Sequence, residues 1–395
     1  MIYATPHASA DDAAVLAEIE LLRERLRYFL REPRRWYGTL RRATLARAVQ
    51  GSNSIEGYHA SVSDVAAVME GEEPLDVDDE TRRAIAGYRD AMTYVLQLAA
   101  SSPMPPLDES LIKALHFMML KYDLAKHPGQ WRPGAVWIES DDGRTVYEAP
   151  DRDQVEALAG ELVGSVNDGG GDRVVRAAMA HLNLALVHPF SDGNGRMARC
   201  LQSYVLAGEG ILSPEFLSIE EYLGRNTTAY YDVLSEVAQG SWTPQHDAHP
   251  WLRFCLTAHY RQALTILRRI EEAEALWDRC EQLVRRHRLP DRSVGALCDA
   301  ARGWRFRRSL YIKTVRSSSD EAISDDTATR DLRALTDAGL LDAVGERRGR
   351  YYQPSDVLRS EWQGIRSQRT ARGEDDPYEV VTGRAQPRLP GFTGA

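Results

Sequence analysis

The feature that most constrains the fold is a helix-loop-helix unit at residues 174–207. Residues 174–187 are apolar at three- and four-residue steps, the pattern of a mostly buried helix. Pro189 cannot continue that helix, because proline lacks the backbone N–H. Helical periodicity resumes at Arg196, so the sequence Gly193-Asn194-Gly195 is predicted at a new helix N-terminus. The free amides and the positive dipole end of that helix favour a bound anion.

The loop between these helices carries the side chains that phosphate chemistry needs. His188 can accept a proton near neutral pH, although a histidine at a helix end is often structural. Asp192 can hold Mg²⁺, which usually takes one or two carboxylates together with phosphate oxygens. Glycines let the backbone approach a phosphate closely, and arginines three residues apart share a helix face. The phosphate-binding candidates are Gly193, Asn194, Gly195, Arg196 and Arg199.

Length and composition predict a folded protein of two or three domains. The 395 residues exceed one ordinary core, at roughly 100–200 residues per domain, and 43% of them are hydrophobic. No run approaches the roughly 18 consecutive apolar residues of a membrane helix, and the N-terminus lacks a signal pattern. We therefore expect a cytoplasmic protein with no membrane partner.

The cysteines are predicted to be reduced thiols in the core. They are far apart in the sequence, fall inside apolar helical patterns and form no CxxC motif, which favours buried thiols over a disulfide framework or a zinc site. They are Cys200, Cys255, Cys280 and Cys298.

Charge is distributed unevenly along the chain. The formal net charge of −9 argues against general affinity for nucleic acid. Residues 279–360, however, hold 17 Arg and Lys against 12 Asp and Glu. An acidic body thus carries a basic C-terminal block.

The remaining pattern is mainly helical, with one hairpin before the central unit. Residues 11–30 and 82–99 have helical periodicity, a long helix opens at His249 and runs to about Leu289, and the acidic residues 72–80 read as a solvated connector. Around Asp142-Gly143, β-branched and aromatic residues predict a β-hairpin at the rim of a site.

The basic block has the pattern of a winged helix-turn-helix domain. Helical segments are followed by a basic hairpin that ends at Tyr351-Tyr352. Such a domain can bind DNA phosphates through its wing and bases through its helix, or it can hold a protein partner or a second copy of the chain in a homodimer. The recognition-helix candidates are Thr327, Thr329, Arg330 and Arg333, and the wing candidates are Arg347, Arg348 and Arg350.

The stretch from His188 to Arg199 resembles the signature of the Fic family (filamentation induced by cAMP), H-x-F-x-[D/E]-G-N-G-R-x-x-R, at every fixed position. The resemblance implies a helical Fic core over about residues 106–265. It also implies that the hairpin is the family's flap, which pairs with the backbone of a target protein and here includes Val136, Trp137 and Ile138.

The activity that this resemblance implies is transfer of AMP from MgATP to a protein Ser, Thr or Tyr hydroxyl. His188 would be the catalytic base, Asp192 the Mg²⁺ ligand, and the phosphate-binding candidates would hold ATP. The related Doc kinases have lysine at the position of Gly195 and transfer phosphate instead, so Gly195 favours nucleotidyl transfer.

A second segment, Ser52-Asn53-Ser54-Ile55-Glu56-Gly57, resembles the family's inhibitory-helix motif, [S/T]-x-x-x-E-[G/N]. On a helix, Ser52 and Glu56 share one face. The resemblance implies that Glu56 pairs with Arg199 and so turns ATP away from a productive pose. The alternative is a capped helix with a surface glutamate, and in some relatives the equivalent glutamate also supports removal of AMP.

These patterns predict a mainly α protein with a Fic-type helical core, one β-hairpin flap and a C-terminal winged helix domain. Two functions compete: an autoinhibited protein adenylyltransferase, which can modify itself, and a DNA-binding transcriptional regulator with a nucleotide-sensing core. His188 and Asp192 favour the enzyme, because a sensor needs no base. The expected regions are 1–105 with the inhibitory motif, 106–265 as the core, 266–360 as long helix and winged helix, and 361–395 as a flexible tail.

Overall fold

Helices form most of the regular structure in this computed structural model, which describes residues 1–31, 34–139, 143–208, 213–319, 321–369 and 375–383. Four helices come first, and Ser9, Ser61 and Asp78 cap three of them through side-chain oxygens that accept backbone N–H groups. They are α1 (Ala10–Leu30), α2 (Tyr37–Ile55), α3 (Val62–Met69) and α4 (Asp79–Ala99). The helices expected at 11–30 and 82–99 are confirmed.

The middle of the chain adds seven helices and the first hairpin. The two strands pair antiparallel, with Trp137 opposite Glu148, which confirms the hairpin; its expected turn at Asp142 lies outside the described residues. The elements are α5 (Glu109–Leu120), β1 (Trp137–Glu139), β2 (Thr145–Glu148), α6 (Val155–Asn167), α7 (Arg173–Val187), α8 (Asn194–Ala207), α9 (Pro214–Leu217), α10 (Glu220–Arg225) and α11 (Thr227–Ala238).

The last part contains the long helix and a smaller helix-and-hairpin unit. The long helix, α12, covers His249–His287 as expected. It is followed by α13 (Val294–Ala301), α14 (Arg308–Ser319), α15 (Asp325–Asp337), β3 (Leu341–Val344), β4 (Tyr351–Pro354), α16 (Asp356–Ser367) and α17 (Pro377–Val381). Strands β3 and β4 pair antiparallel, with Val344 opposite Tyr351. Helices before a hairpin match the element order that we expected, and the winged-helix assignment stays a prediction.

The helix-loop-helix unit lies at the centre of the core. Helices α7 and α8 pack on each other, α8 packs on α4 and α5, and α12 packs on both α1 and α7. Trp251 of α12 is buried and donates its indole N–H to the carbonyl of Ala178, 2.8 Å away. One cluster of buried hydrophobic side chains runs from Tyr3 to Tyr378. The expected region boundaries remain a prediction.

Helix α2 is seated closely on α10 through two glycines. A side chain on Gly224 would place its Cβ 2.6 Å from the Cα of Gly51, and one on Gly51 would collide with the carbonyl oxygen of Glu220. Only glycine allows the two backbones to come this close. The helix that carries Ser52 is therefore held against the core at its C-terminal end.

The acidic connector is not simply solvated, because it contacts the C-terminal unit. Glu72 forms an ion pair with Lys313, and Asp76 forms one with Arg305, both at 2.7 Å. Part of the expected flexible tail is also packed: in α17, the Tyr378 hydroxyl donates to the carboxylate of the buried Asp12 in α1, at 2.8 Å. Neither contact is local in sequence, so patterning could not predict it.

All four cysteines are buried and free, which confirms the predicted core thiols. No helix in the described part of the chain combines the length and the apolarity needed to cross a bilayer.

Candidate active site

The loop between α7 and α8 is shaped by two left-handed residues. His188, at the C-terminal end of α7, has φ 50°, and Gly193, before the first turn of α8, has φ 76°. A side chain at Gly193 would strain the backbone and bring a Cβ to 3.0 Å from Cδ1 of Leu120. The first backbone bond of α8 runs from the N–H of Met197 to the carbonyl of Gly193. The preceding amides of α8 therefore lie free at its positive end.

Buried contacts hold the loop in place. Phe190 is fully buried and its ring stacks on His116 of α5, with centroids 3.6 Å apart. The side chain of Asn194 bonds the backbone of Phe190 twice, accepting from its N–H and donating to its carbonyl, both at 2.9 Å. The side chain of Asn194 therefore holds the loop, and its backbone amide lies in the first turn of α8; its role at the phosphates stays a prediction.

His116 was not predicted, and it links the loop to α5. Its Nδ1 accepts the N–H of Gly129 at 2.8 Å, so Nε2 carries the proton and donates to the carbonyl of Asp192 at 2.9 Å. Burial is the main cause that lowers the pKa of His116, to about 4. This histidine is a neutral structural group.

His188 is set up as a proton acceptor. Its Nδ1 lies 3.1 Å from the carbonyl oxygen of Ala185 and donates to it, which leaves the lone pair on Nε2. Burial lowers the pKa of His188 below its ordinary value, although the Ala185 carbonyl acts in the opposite direction. The imidazole is therefore neutral at pH 7 and able to accept a proton.

Asp192 is paired with a residue that the sequence did not indicate. Its Oδ2 lies 2.7 Å from Nζ of Lys126, and its Oδ1 accepts the N–H of Gly193 at 2.5 Å. Burial raises the pKa of Asp192, but the hydrogen bond and the charge of Lys126 outweigh burial and lower it. The carboxylate is ionised and still about a third exposed.

Arg196 is buried with unused hydrogen-bond donors. Its Nε and Nη1 have no hydrogen-bond partner among the described residues, and its guanidinium lies 5.1 Å from the ring centroid of Tyr58. Buried donors without a partner cost about 1–3 kcal/mol or more each, so they suit an anionic ligand that completes them.

Arg199 meets both residues of the inhibitory motif. Its Nε donates to Oγ of Ser52 at 2.8 Å, and its Nη2 donates to the carbonyl of Ser52 at 2.9 Å and to Oε1 of Glu56 at 2.5 Å. The Arg199 side chain is fully buried, whereas that of Glu56 is 25% exposed. Glu56 follows the last residue of α2.

The Glu56 carboxylate also lies against the N-terminus of α8. A Cβ on Gly195 would collide with Oε1 of Glu56 and come to 3.2 Å from Nη1 of Arg199. The carboxylate thus occupies the positive end of α8, where an anion is favoured.

The hairpin is anchored on one side and open on the other. The Tyr147 hydroxyl donates to the carbonyl of Leu186 at 2.6 Å, and Glu148 exchanges backbone bonds with Gly240 and Trp242. Strand β1 is exposed along its length, with Trp137 at 53% and Ile138 at 39%. Its outer edge can accept a further strand.

Arg132 ties the hairpin base to the motif loop and was also missed. It is fully buried, and it donates to the carbonyls of His188 at 3.0 Å, of Gly134 at 2.6 Å and of Pro150. The segment before the hairpin carried no periodic signal that would have indicated this role. Lys126 and His116 were missed as well, because each contacts Asp192, more than 60 residues away in the sequence.

Comparison with known proteins agrees with this geometry. Residues 106–206 match the model of the Fic/DOC family. The protein adenylyltransferase fic-1 of Caenorhabditis elegans is 27% identical over 254 residues, 63% of this chain and 46% of that protein. The protein adenylyltransferase Fic of Nematostella vectensis is 26% identical over 212 residues, 51% of this chain and 44% of that protein. The chain thus spans less than half the length of these relatives.

Solved structures show the same fold. A Fic family protein from Desulfovibrio desulfuricans G20 superposes with a TM-score of 0.56 at 20% identity, over 89% of this chain and 98% of that one. Fic-1 from C. elegans superposes with a TM-score of 0.52 at 22% identity, over 65% of this chain and 72% of that one. With the signature loop in place between α7 and α8, residues 106–206 are a Fic/DOC family domain.

Proposed function

We propose that this chain is a protein adenylyltransferase that Glu56 holds in an inhibited state. The reaction moves AMP from ATP to a Ser, Thr or Tyr hydroxyl of a protein, including the enzyme itself. The relatives named protein adenylyltransferase support the reaction class. The Glu56–Arg199 ion pair carries the inhibition part of the proposal.

His188 supplies the base. The target hydroxyl loses its proton to Nε2 of His188 while its oxygen forms a bond to the α-phosphorus of ATP. The bond from that phosphorus to the bridging oxygen of the β-phosphate breaks, and diphosphate leaves. Because burial lowers the pKa of His188, the base is in its proton-accepting form at neutral pH. No covalent enzyme intermediate is needed.

The start of α8 supplies the phosphate site. The amides of Asn194, Gly195 and Arg196 lie at the positive helix end, and the unpaired donors of Arg196 are buried beside them. Oriented donors in a partly buried site stabilise the charge that develops on the phosphates. This arrangement costs little reorganisation, because the loop is already held by Asn194 and His116.

Asp192 fits a Mg²⁺ ion that arrives with the nucleotide. The described residues contain no group of three or more candidate metal ligands, so the cation would depend on ligands from the nucleotide as well as on Asp192. Mg²⁺ is usually bound in this way, by one or two carboxylates plus substrate phosphates and water. When bound, Mg²⁺ would neutralise phosphate charge, and Asp192 would orient it.

Glu56 inhibits transfer by occupying part of the proposed phosphate site. Its carboxylate takes up one donor of Arg199 and the space next to Gly195, the same positions that a terminal phosphate of ATP would need. Two anions cannot share this space without strong repulsion. ATP can then bind productively only after Glu56 has moved.

The open edge of β1 is the proposed target site. An extended segment of a target can add a strand beside Trp137 and Ile138, which would bring a hydroxyl towards His188. Backbone pairing sets little sequence preference.

Labelled ATP tests the proposal. The Glu56→Gly protein with Mg²⁺ should take up label from ATP marked on the α-phosphate and none from ATP marked on the γ-phosphate. Label from the γ-phosphate alone would make the enzyme a kinase. In a chase without ATP, labelled Glu56→Gly protein is mixed with unlabelled wild type; loss of the label on addition of wild type, but not of more Glu56→Gly protein, would reveal an additional AMP-removing activity that needs Glu56.

A DNA-binding regulator is the second candidate, supported by the exposed arginines of the C-terminal unit. Arg330 and Arg333 on α15 are exposed, as are Arg347 and Arg350 between β3 and β4. Acidic residues at both ends of α15 reduce this charge, and Arg333 lies 3.7 Å from Asp337. A gel shift with genomic fragments that weakens with salt would support DNA binding, and no shift at low salt would remove it.

A further inference from the structure

Lys126 places a fixed positive charge on the carboxylate that we assign to the metal. It is the last residue of a short 3-10 helix, Leu124–Lys126, between α5 and the hairpin. Its Nζ lies 2.7 Å from Oδ2 of Asp192, with the Lys126 side chain 24% exposed and that of Asp192 37% exposed. The ammonium therefore stands at the position where a cation would meet this oxygen.

The other oxygen of Asp192 offers no easy substitute. Oδ1 accepts the N–H of Gly193 at 2.5 Å, and the backbone of that residue is fixed by its left-handed conformation. A divalent cation at Oδ2 and the Lys126 ammonium, 2.7 Å from the same oxygen, repel each other strongly at this short range. Cation binding must therefore break or stretch the Lys126–Asp192 ion pair.

The surroundings determine what a displaced ammonium meets. Arg196, on the same side of the loop, is also positive and already lies over the Tyr58 ring. Like charges in a partly buried site are unfavourable unless an anion lies between them. Nucleotide phosphates supply that anion, so a bound nucleotide favours the displaced position of the lysine.

We propose that Lys126 is a built-in competitor of the divalent cation at Asp192, which lowers the affinity of this carboxylate for the cation. This inference rests on the assignment of Asp192 to the metal in the proposed function. It makes Lys126 a positioning residue, because it acts through Asp192 and sets the affinity of cation binding.

Binding of Mn²⁺ tests the inference without any turnover. The full chain with Glu56→Gly is titrated with Mn²⁺ in the presence of α,β-methylene-ATP, whose α,β linkage cannot be cleaved, and free Mn²⁺ is measured by electron paramagnetic resonance. Lys126→Met should tighten Mn²⁺ binding by about three- to tenfold, the effect of losing one partly exposed ion pair. Lys126→Arg keeps the charge and should leave the affinity unchanged.

Lys121→Met is the matched control, because Lys121 also forms a 2.7 Å ion pair, with Asp90. It should not change the Mn²⁺ affinity. Asp192→Asn should weaken Mn²⁺ binding with or without Lys126, and unchanged binding in Asp192→Asn would overturn the inference. Equal or weaker Mn²⁺ binding by Lys126→Met would also overturn the inference. If Lys126→Met unfolds at a lower temperature than its parent, Lys126→Gln is measured in its place. If Lys126→Met binds Mn²⁺ more tightly but the Glu56→Gly protein transfers no AMP, the proposed function is rejected and the inference about Lys126 is not.

Discussion

Arg199 and Glu56 form an ion pair in which one partner is fully buried and the other is partly exposed. The Nη2–Oε1 distance is 2.5 Å, but Arg199 is fully buried and also bonded to Ser52, whereas Glu56 is 25% exposed. Burial opposes the charge of Arg199, yet Glu56 outweighs it and raises the pKa of Arg199. Glu56 can therefore leave while Arg199 keeps its position, so an incoming phosphate meets a prepared arginine.

Removal of Glu56 should increase nucleotide affinity. In Glu56→Gly, no carboxylate occupies Arg199. The apparent dissociation constant for ATP should therefore fall by about tenfold or more, because every molecule is in the state that can bind ATP. Isothermal titration with α,β-methylene-ATP measures it. The exposed Glu236 of α11 provides the control, and Glu236→Gly should bind like wild type. Equal affinities for all three proteins would show that Glu56 does not exclude ATP.

Transfer should depend on pH through the neutral form of His188. Burial lowers the pKa of His188 below 6.5, so the proton-accepting form persists to lower pH than for an exposed histidine. The rate of the Glu56→Gly protein should fall as the pH decreases, with a midpoint below the ordinary histidine value of 6.5. A midpoint between pH 8 and 7 would mean that another group is the base. His188→Ala should lose at least about a hundredfold in rate and keep its ATP affinity.

Acid should destabilise the protein partly through His116. Its folded pKa is about 4 and its ordinary value is 6.5, so the unfolded state binds the proton first. The stabilising contribution is present above pH 6.5 and is lost as the pH falls towards 4. Between pH 7 and pH 5 this amounts to about 2 kcal/mol.

His116→Phe tests this assignment. The variant should be less stable at pH 7 by about 1–3 kcal/mol, since two hydrogen bonds to the backbone are lost. Its free energy of unfolding should also fall less between pH 7 and pH 5 than that of wild type. Urea unfolding at both pH values measures the difference, and an equal decrease in the two proteins would contradict the role of His116.

Crowding the contact between α2 and α10 should weaken inhibition. Gly51→Ala adds a methyl group that collides with Glu220, so α2 must shift, at a cost of about 1–3 kcal/mol. Glu56 moves with α2, and self-modification should rise relative to wild type. Gly164→Ala in α6 is the control, because no atom lies within 4 Å of its added Cβ. A Gly51→Ala protein that is destabilised but no more active would separate packing from inhibition.

The sequence predicted what depends on local pattern. The spacing of the apolar residues predicted the helices α7, α8 and α12. The turn residues and the β-branched and aromatic residues beside them predicted the strands of the hairpin. The glycines and the helical periodicity that resumes at Arg196 predicted Gly193 at the helix N-terminus. The resemblance of residues 52–57 to the family's inhibitory motif implied the pairing of Glu56 with Arg199, which the structure contains.

The sequence did not predict what depends on distant packing. Lys126, Arg132 and His116 contact the loop from segments without a distinctive pattern, and each does so through contacts that form only in the folded chain. Asn194 has a further contact that the signature did not indicate, because its side chain bonds the backbone of Phe190.

The most direct test of the central claim is intact-mass spectrometry after incubation with ATP and Mg²⁺. Three proteins are compared: wild type, Glu56→Gly and Glu56→Gly with His188→Ala. We predict an added AMP on Glu56→Gly, little or none on wild type, and none on the double variant. Equal AMP addition to wild type and Glu56→Gly would contradict inhibition by Glu56, and addition to the double variant would contradict catalysis by His188.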